Sequence, residues 1–330
     1  MRYLDVVSMA VVVLVMITVS ACAGPTAATP PTPQPAPVQP TQAPEPTNAR
    51  VPTVASVPTA AATATTEAAV TQSASFDPSN FDHSNNITNT WLPLKPGTRY
   101  TYEGQSVDDS GNLLPHRIVV NVTDLTKVIG GVRALVTWDQ DYSADQLAEA
   151  ELAFYAQDKD GNVWYMGEYP EAYENGKLVE APAWLQGIKD AKAGIMMKAN
   201  PQVGTPSYSE GWGPAVNWTD VGQVDQMGQK TCVAVGCYED VLVVAETSQG
   251  EPGAVQLKYY ARGVGNIQVG WRGGGEKTKE TLQLTKIEQL SPGALAEVRA
   301  KALELEKSAY ENSKEVYAQT PPAEQMAPAN

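Results

Sequence analysis

Eleven of the chain's 25 prolines fall between Gly24 and Ser75, a stretch with no aromatic residue and only Glu45, Arg50 and Glu67 charged. Ala, Thr, Val and Gln fill most of the rest. A segment so poor in apolar bulk cannot offset an ordering entropy of about 1–2 kcal/mol per residue, so it is expected to stay unfolded. Repeated proline biases it toward polyproline II at ~3.1 Å per residue, a tether with a reach on the order of 100 Å. Any packed core must therefore come from the rest of the chain. All seven Trp and all three Phe lie from Phe76 onward.

The residues before the tether read as a targeting segment. Arg2 supplies a positive start, and Val6 to Val19 is an apolar run of signal-peptide length, shorter than the roughly 20 residues that span a bilayer. The run ends Val19-Ser20-Ala21-Cys22, which resembles the bacterial lipobox, so residues 1–21 are expected as a lipoprotein signal peptide and Cys22 as the lipidated first residue. Several acyl chains on one cysteine anchor stably, whereas one binds only marginally. The alternative is a plain secretory signal cut after Ala21 or Ala23. The lipoprotein reading places the rest of the chain on the outer face of a bacterial membrane, tethered by residues 22–75.

Residues 76–290 read as a β-rich domain. Alternating or apolar stretches recur at Arg99–Glu103, His116–Val122, Ala134–Trp138, Leu152–Gln157, Asn162–Glu168, Tyr238–Glu246, Val255–Tyr260, Ile267–Trp271 and Thr281–Ile287, with Gly, Asn and Asp turns between. That spacing predicts an antiparallel meander. Many strands in one chain tend to curl or close because closure removes exposed edges, so the expected fold is mainly β, a curved sheet, half-barrel or barrel. Glu180 to Gly204 breaks the rhythm and is expected as an excursion with a short helix near Gly194-Ile195-Met196-Met197. Residues 291–317 then read as one long amphipathic helix: Ser291-Pro292 is a start signal, and Leu295, Val298, Ala302, Leu305, Ala309, Asn312 and Val316 recur at helical spacing. That stripe is expected either to pack across the sheet or to form a partner seam. Residues 318–330 read as a loose tail.

Little in the chain carries recognisable chemistry. A net charge of −14 argues against a nucleic-acid partner. With two histidines and three cysteines, neither a metal site nor a cofactor is expected. His83, near Asp77 and Asp82, stands as the one His–carboxylate cluster in the sequence and reads as solvated. Asp158-Lys159-Asp160-Gly161 opens like a calcium loop, but position 169 is Tyr where a bidentate acid belongs, so a β-turn is expected. Cys232 and Cys237, with four residues between them, pair naturally as a disulfide outside the cytoplasm. Trp164, Trp184, Trp212, Trp218 and Trp271 lie in or beside turns. They are candidates to line an apolar ligand cavity, to stack on sugar rings, or simply to fill the core.

Three blocks carry a resemblance: Ile87-Thr88-Asn89-Thr90-Trp91-Leu92-Pro93-Leu94-Lys95-Pro96-Gly97-Thr98 running on to Tyr102-Glu103-Gly104, then Tyr155 to Tyr165, and Tyr259-Tyr260-Ala261-Arg262-Gly263-Val264-Gly265. Together they resemble a group of uncharacterised bacterial secreted proteins and lipoproteins. The resemblance implies one extracytoplasmic β-rich domain and brings no functional residues with it. The expected function is non-enzymatic binding of an apolar small molecule or an envelope component. A structural or protein-interaction module using the C-terminal helix is the alternative, and an envelope glycan hydrolase the third. The partners this reading implies are the membrane, through the lipid anchor, and an apolar ligand or envelope protein.

Overall fold

The computed structural model describes residues 74–108 and 110–327; the leader, Cys22 and the tether through residue 73 lie outside the described residues. Alternating side chains build two antiparallel meanders. The first is β1 (Thr98–Val107), β2 (Leu113–Ile129), β3 (Val132–Ser143), β4 (Gln146–Gln157) and β5 (Val163–Glu174). Short strands follow: β6 (Lys177–Glu180), β7 (Trp184–Leu185), β8 (Lys192–Met197), β9 (Tyr208–Ser209) and β10 (Gly211–Trp212). The second meander is β11 (Val221–Val233), β12 (Gly236–Thr247), β13 (Val255–Ala261), β14 (Gly265–Arg272) and β15 (Thr281–Gln289). Strand β1 pairs with β15, so the meanders fuse into one antiparallel sheet. The expected strands fall on β1–β5 and β12–β15.

Register shifts at Thr101/Tyr102, Asp141/Tyr142, Phe154/Tyr155 and Tyr259/Tyr260 bend and twist the sheet. It curves strongly without closing into a barrel. Its two ends nonetheless reach one short segment, because β9 pairs with β11 and β10 with β8, separated only by Glu210. Gly194 permits that approach: a Cβ there would lie 2.4 Å from the Ser209 carbonyl oxygen. The run from Gly194 to Met197 is thus part of a strand rather than the expected helix. Its apolar side chains bury against the sheet and its backbone pairs with β5.

The C-terminal helix divides into α1 (Pro292–Asn312) and α2 (Lys314–Tyr317). Ser291 Oγ accepts from the Ala294 N–H at 3.2 Å, capping α1. Val298 is buried, and Ala302, Leu305 and Ala309 are buried in a core shared with Leu125, Leu152 and Phe154, on the convex face of the sheet. The tail is not loose. Glu324–Gln325 forms β16, pairing with Thr126 and Leu125 of β2 beside a bulge that frees that stretch of backbone. The Pro321 carbonyl accepts from the buried Lys127 ammonium at 2.7 Å.

Distant sequence blocks meet in the fold. The Gln157 carboxamide oxygen accepts from the N–H groups of Thr88 and Asn89, each at 2.8 Å. Asn89 Nδ2 donates to the Gly161 carbonyl, and the Gly263 N–H to the Thr90 carbonyl. The Arg262 guanidinium lies 4.1 Å over the ring of the buried Trp91. Residues 87–94 are thereby fastened at the edge of the concave face, where Leu92, Pro93 and Leu94 turn inward.

Candidate functional site

Strand alternation sends one set of side chains from β1–β4 and β13–β15 to the concave face. There they enclose a cavity of about 250 Å³. Leu92, Leu94, Ile118, Val120, Val269 and Leu282 line it together with Asp139, Lys258 and four tyrosines, Tyr100, Tyr102, Tyr155 and Tyr260. The register interleaves the two kinds, with Val120 opposite Asp139 and Val269 opposite Lys258. Tyr102 is fixed by donating its hydroxyl to the Asn266 carbonyl at 3.0 Å. An engineered apolar cavity of about 150 Å³ holds benzene, so this one suits an occupant on the order of ten heavy atoms.

Around Asp139 the concave face is acidic. Glu149 and Glu151 share the concave face of β4, and Glu151 sits opposite Asp139 of β3 in the sheet register. Tyr165 Oη lies 2.8 Å from Glu151 Oε1 and 2.5 Å from Glu168 Oε2. A phenol has one proton to donate, so one of these carboxyls must itself be protonated and donate back. Burial is the main cause that raises all four carboxyls; Glu151 adds to it for Asp139, Glu149 and Glu168. Glu149 is pushed up to about 8.

A second cluster surrounds the lysine. Lys258 Nζ lies 2.6 Å from Glu246 Oε2. Burial pulls this ammonium down, but Glu246 and Glu210 more than offset it and hold it above its ordinary range. Glu210, between β9 and β10, is only 1% exposed and is raised well above the usual carboxylate range by burial and then by Glu246. Gly222 makes room for it, since a Cβ there would lie 2.5 Å from Glu210 Oε1. Asp220 is raised to about 6, again by burial first and Glu246 second. Glu210 Oε1, Glu246 Oε1 and Asp139 Oδ1 are buried with no hydrogen-bond partner.

His116 corrects a reading of the sequence. The His–carboxylate cluster that matters is not at His83, which is exposed, but here. His116 Nε2 lies 2.7 Å from Asp141 Oδ1, and Nδ1 lies 3.0 Å from Glu280 Oε1. Burial alone would lower this imidazole, but the hydrogen bonds with Asp141 and Glu280 raise it to about 10, so it is charged at neutral pH.

The five candidate tryptophans do not share a wall, and none lines the cavity. Trp164 is buried on the convex face, its ring centroid 5.8 Å from Phe76 and 5.7 Å from Phe81, and Nε1 donates to Asp158 Oδ2. Trp184 and Trp218 do come together, with centroids 5.0 Å apart, beside Tyr165. Trp212 is half-buried on β10, and Trp271, 37% exposed, lies next to the end of β14 under the Lys279 ammonium. Tyrosine supplies the aromatic lining instead. A signal for the acidic cluster was present in the alternation Asp139-x-Asp141 and Glu149-x-Glu151, acids repeating on one face of paired strands. Cys232 and Cys237 form a disulfide at the tip of the β11–β12 hairpin. Asp158 Oδ1 accepts from the N–H groups of Asp160 and Asn162, so that loop is a turn held by its own carboxylate.

No family model matches the chain, and no curated protein sequence does. Among solved structures, an 11%-identical protein from Bacteroides fragilis, assigned as exported and with a YmcC-like fold, aligns over 61% of this chain and 99% of its own, with a TM-score of 0.33. A beta-barrel-like protein of a domain of unknown function from Brucella abortus aligns at 11% identity over 61% of this chain and 100% of its own, with a TM-score of 0.34. A protein from Parabacteroides distasonis assigned as a lipoprotein aligns at 11% identity over 60% of this chain and 99% of its own, at 0.25.

Proposed function

We propose that this chain is an extracytoplasmic lipoprotein, anchored through Cys22 and a proline-rich tether, that holds a small amphiphilic molecule in the cavity of its concave face. The observation that carries the binding reading is the cavity itself, lined by aliphatic side chains interleaved with Tyr, Asp and Lys. Such a mixed lining suits a ligand that has both an apolar body and a polar head. The Val19-Ser20-Ala21-Cys22 motif supports the anchor, and a disulfide between Cys232 and Cys237 is at home in an oxidising compartment.

Binding is favoured over the two other readings by particular contacts. The apolar stripe of α1 is already buried against the sheet, which disfavours it as a partner seam. Glu151 and Glu168 are hydrogen-bonded to each other through their carboxyls and to one phenol. A glycosidase pair must instead stand about 5–9.5 Å apart to admit the scissile bond and water.

Native mass spectrometry of the full chain, purified from its own host before and after organic extraction, tests both parts. The expected result is a small non-covalent adduct lost on extraction and a covalent lipid mass on Cys22 that survives it. Absence of the first in every preparation would overturn the binding reading. Absence of the second would overturn the anchor.

A further inference from the structure

The charge of the occupant can be read from the wall it meets, an inference that rests on the cavity reading above. Buried charges in folded proteins are normally paired, because an isolated charge in a low-dielectric interior costs several kcal/mol. Here the pairing is lopsided. The concave face gathers carboxyl groups from β3, β4, β5, β12 and the segments beside β9 and β11. Among the described residues the ammonium of Lys258 is what opposes them, and it is already held by Glu246. His116 does not redress the balance, since Asp141 and Glu280 both lie against it.

Two observations beyond the acidity point to a ligand. Asp139, on the cavity wall itself, keeps its Oδ1 without a hydrogen-bond partner; Glu210 and Glu246, in the cluster around Lys258 and outside the cavity lining, each keep one such oxygen as well. Four tyrosines line the same cavity, and the charge of Asp139 is felt at two of them, Tyr102 and Tyr155. A carboxyl with one free oxygen beside aromatic faces can hold an organic ammonium group once it gives up its proton, by a charge-assisted hydrogen bond and by the ring quadrupoles.

We infer that the occupant is a cation: an ammonium group on a small apolar body, its head at Asp139 between Tyr102 and Tyr155 and its body against Leu94, Val269 and Leu282. Lys258 does not defeat this, because its ammonium is already engaged by Glu246 at 2.6 Å, with Glu210 and Asp220 also acting on it. The carboxyl opposite the incoming head is pushed up by burial, then by Glu151 and Glu149 on β4, against the Thr137 hydroxyl on β3, which pulls it down. Tyr102 on β1, Tyr155 on β4 and Lys258 on β13 line the cavity with it. An arriving cation therefore takes the place of a proton, which leaves to solvent.

The test is calorimetric titration of the full chain, carrying Cys22→Ser to keep it free of lipid, with hexylammonium, hexan-1-ol and hexanoate at pH 7. Hexylammonium is expected to bind at least about tenfold more tightly than the alcohol, with hexanoate weakest. Repeating the titration in buffers of different ionisation enthalpy should show proton release with the amine and none with the alcohol. Asp139→Asn should bring amine and alcohol within about threefold of each other. Should that variant not fold, the amine-to-alcohol ratio in the chain with Asp139 intact still decides. Equal binding of amine and alcohol, or tightest binding of hexanoate, would overturn the cationic occupant while leaving the cavity reading in place. Failure of all three to bind would remove both.

Discussion

Two lysines point to opposite faces of the same sheet, and their surroundings differ in kind. On the convex side, Lys127 is completely buried and each of its three donors is used: Glu306 Oε1 at 2.8 Å, the Tyr310 hydroxyl at 3.1 Å and the Pro321 carbonyl at 2.7 Å. Glu306 in turn accepts from the Ala323 N–H. On the concave side, Lys258 has one close partner in Glu246, while Glu210 and Asp220 crowd the same corner and two carboxylate oxygens go unpaired. The first arrangement is closed: one cation, one anion, and hydrogen bonds to finish both. It fastens α1 and the C-terminal tail to β2. The second is open, and protons or a ligand must complete it. A polar network that serves only architecture has no reason to be over-supplied with one sign of charge, because unpaired buried groups cost stability.

The contrast breaks most directly at Lys127. Lys127→Ala leaves Glu306 buried without a counter-charge and releases the tail, so a loss of about 3–5 kcal/mol in unfolding free energy is expected by denaturant titration. Replacing both partners, with Lys127→Met and Glu306→Leu, should recover most of that loss, since an apolar pair of similar volume needs no desolvation. A cost below about 1 kcal/mol for the single change would mean that the pair is solvated, and the two faces would no longer differ as described.

A smaller effect, of opposite origin, is expected at Glu149. Burial, then Glu151, then Asp141 raise this carboxyl to about 8. For an acid whose folded-state value is raised, the folded chain holds the proton more firmly than the unfolded chain. Its contribution to stability is therefore full below the ordinary carboxylate range and is lost as pH rises through about 8. The protein should lose stability between pH 5 and pH 9, and Glu149→Gln, which cannot ionise, should reduce that loss by about 2 kcal/mol after allowance for solvent screening. Denaturant titrations of both chains at the two pH values measure it. An equal shift at pH 5 and pH 9 would point to packing rather than titration.

Much of the architecture was legible in residue order. Alternation marked β1 to β5 and β12 to β15, and Ser291-Pro292 marked the helix start. The excursion was not, because short apolar runs such as Ile195-Met196-Met197 do not distinguish helix from strand. Strand β11 was hidden by its glycines, its glutamines and three successive register shifts. The site was harder still. In a sheet with one wet face, acids at alternate positions read as the solvent side. Here Ala150, Leu152 and Phe154 take the convex face beneath α1, so Glu149 and Glu151 turn inward instead. Only knowledge of what covers the other face reverses the assignment. The tail escaped for a related reason: nothing local in Pro321-Pro322 shows that its carbonyl completes the coordination of a lysine nearly two hundred residues away.

The finest distinction between the faces rests on a hydroxyl. Tyr317 is fully buried on the convex side, its ring 4.7 Å below the Lys127 ammonium and packed against Tyr169 and Tyr310, yet its hydroxyl has no hydrogen-bond partner. Tyr317→Phe keeps the ring and the cation contact and removes a buried polar group that contributes no bond. Stability is therefore expected to stay within about 0.5 kcal/mol of the parent or to rise slightly. If the change instead costs about 1 kcal/mol or more, the hydroxyl is bonded in solution, most simply through water. The convex side would then contain a hydrated pocket of its own, and the line between a finished face and an unfinished one would have to be drawn at the carboxylates alone.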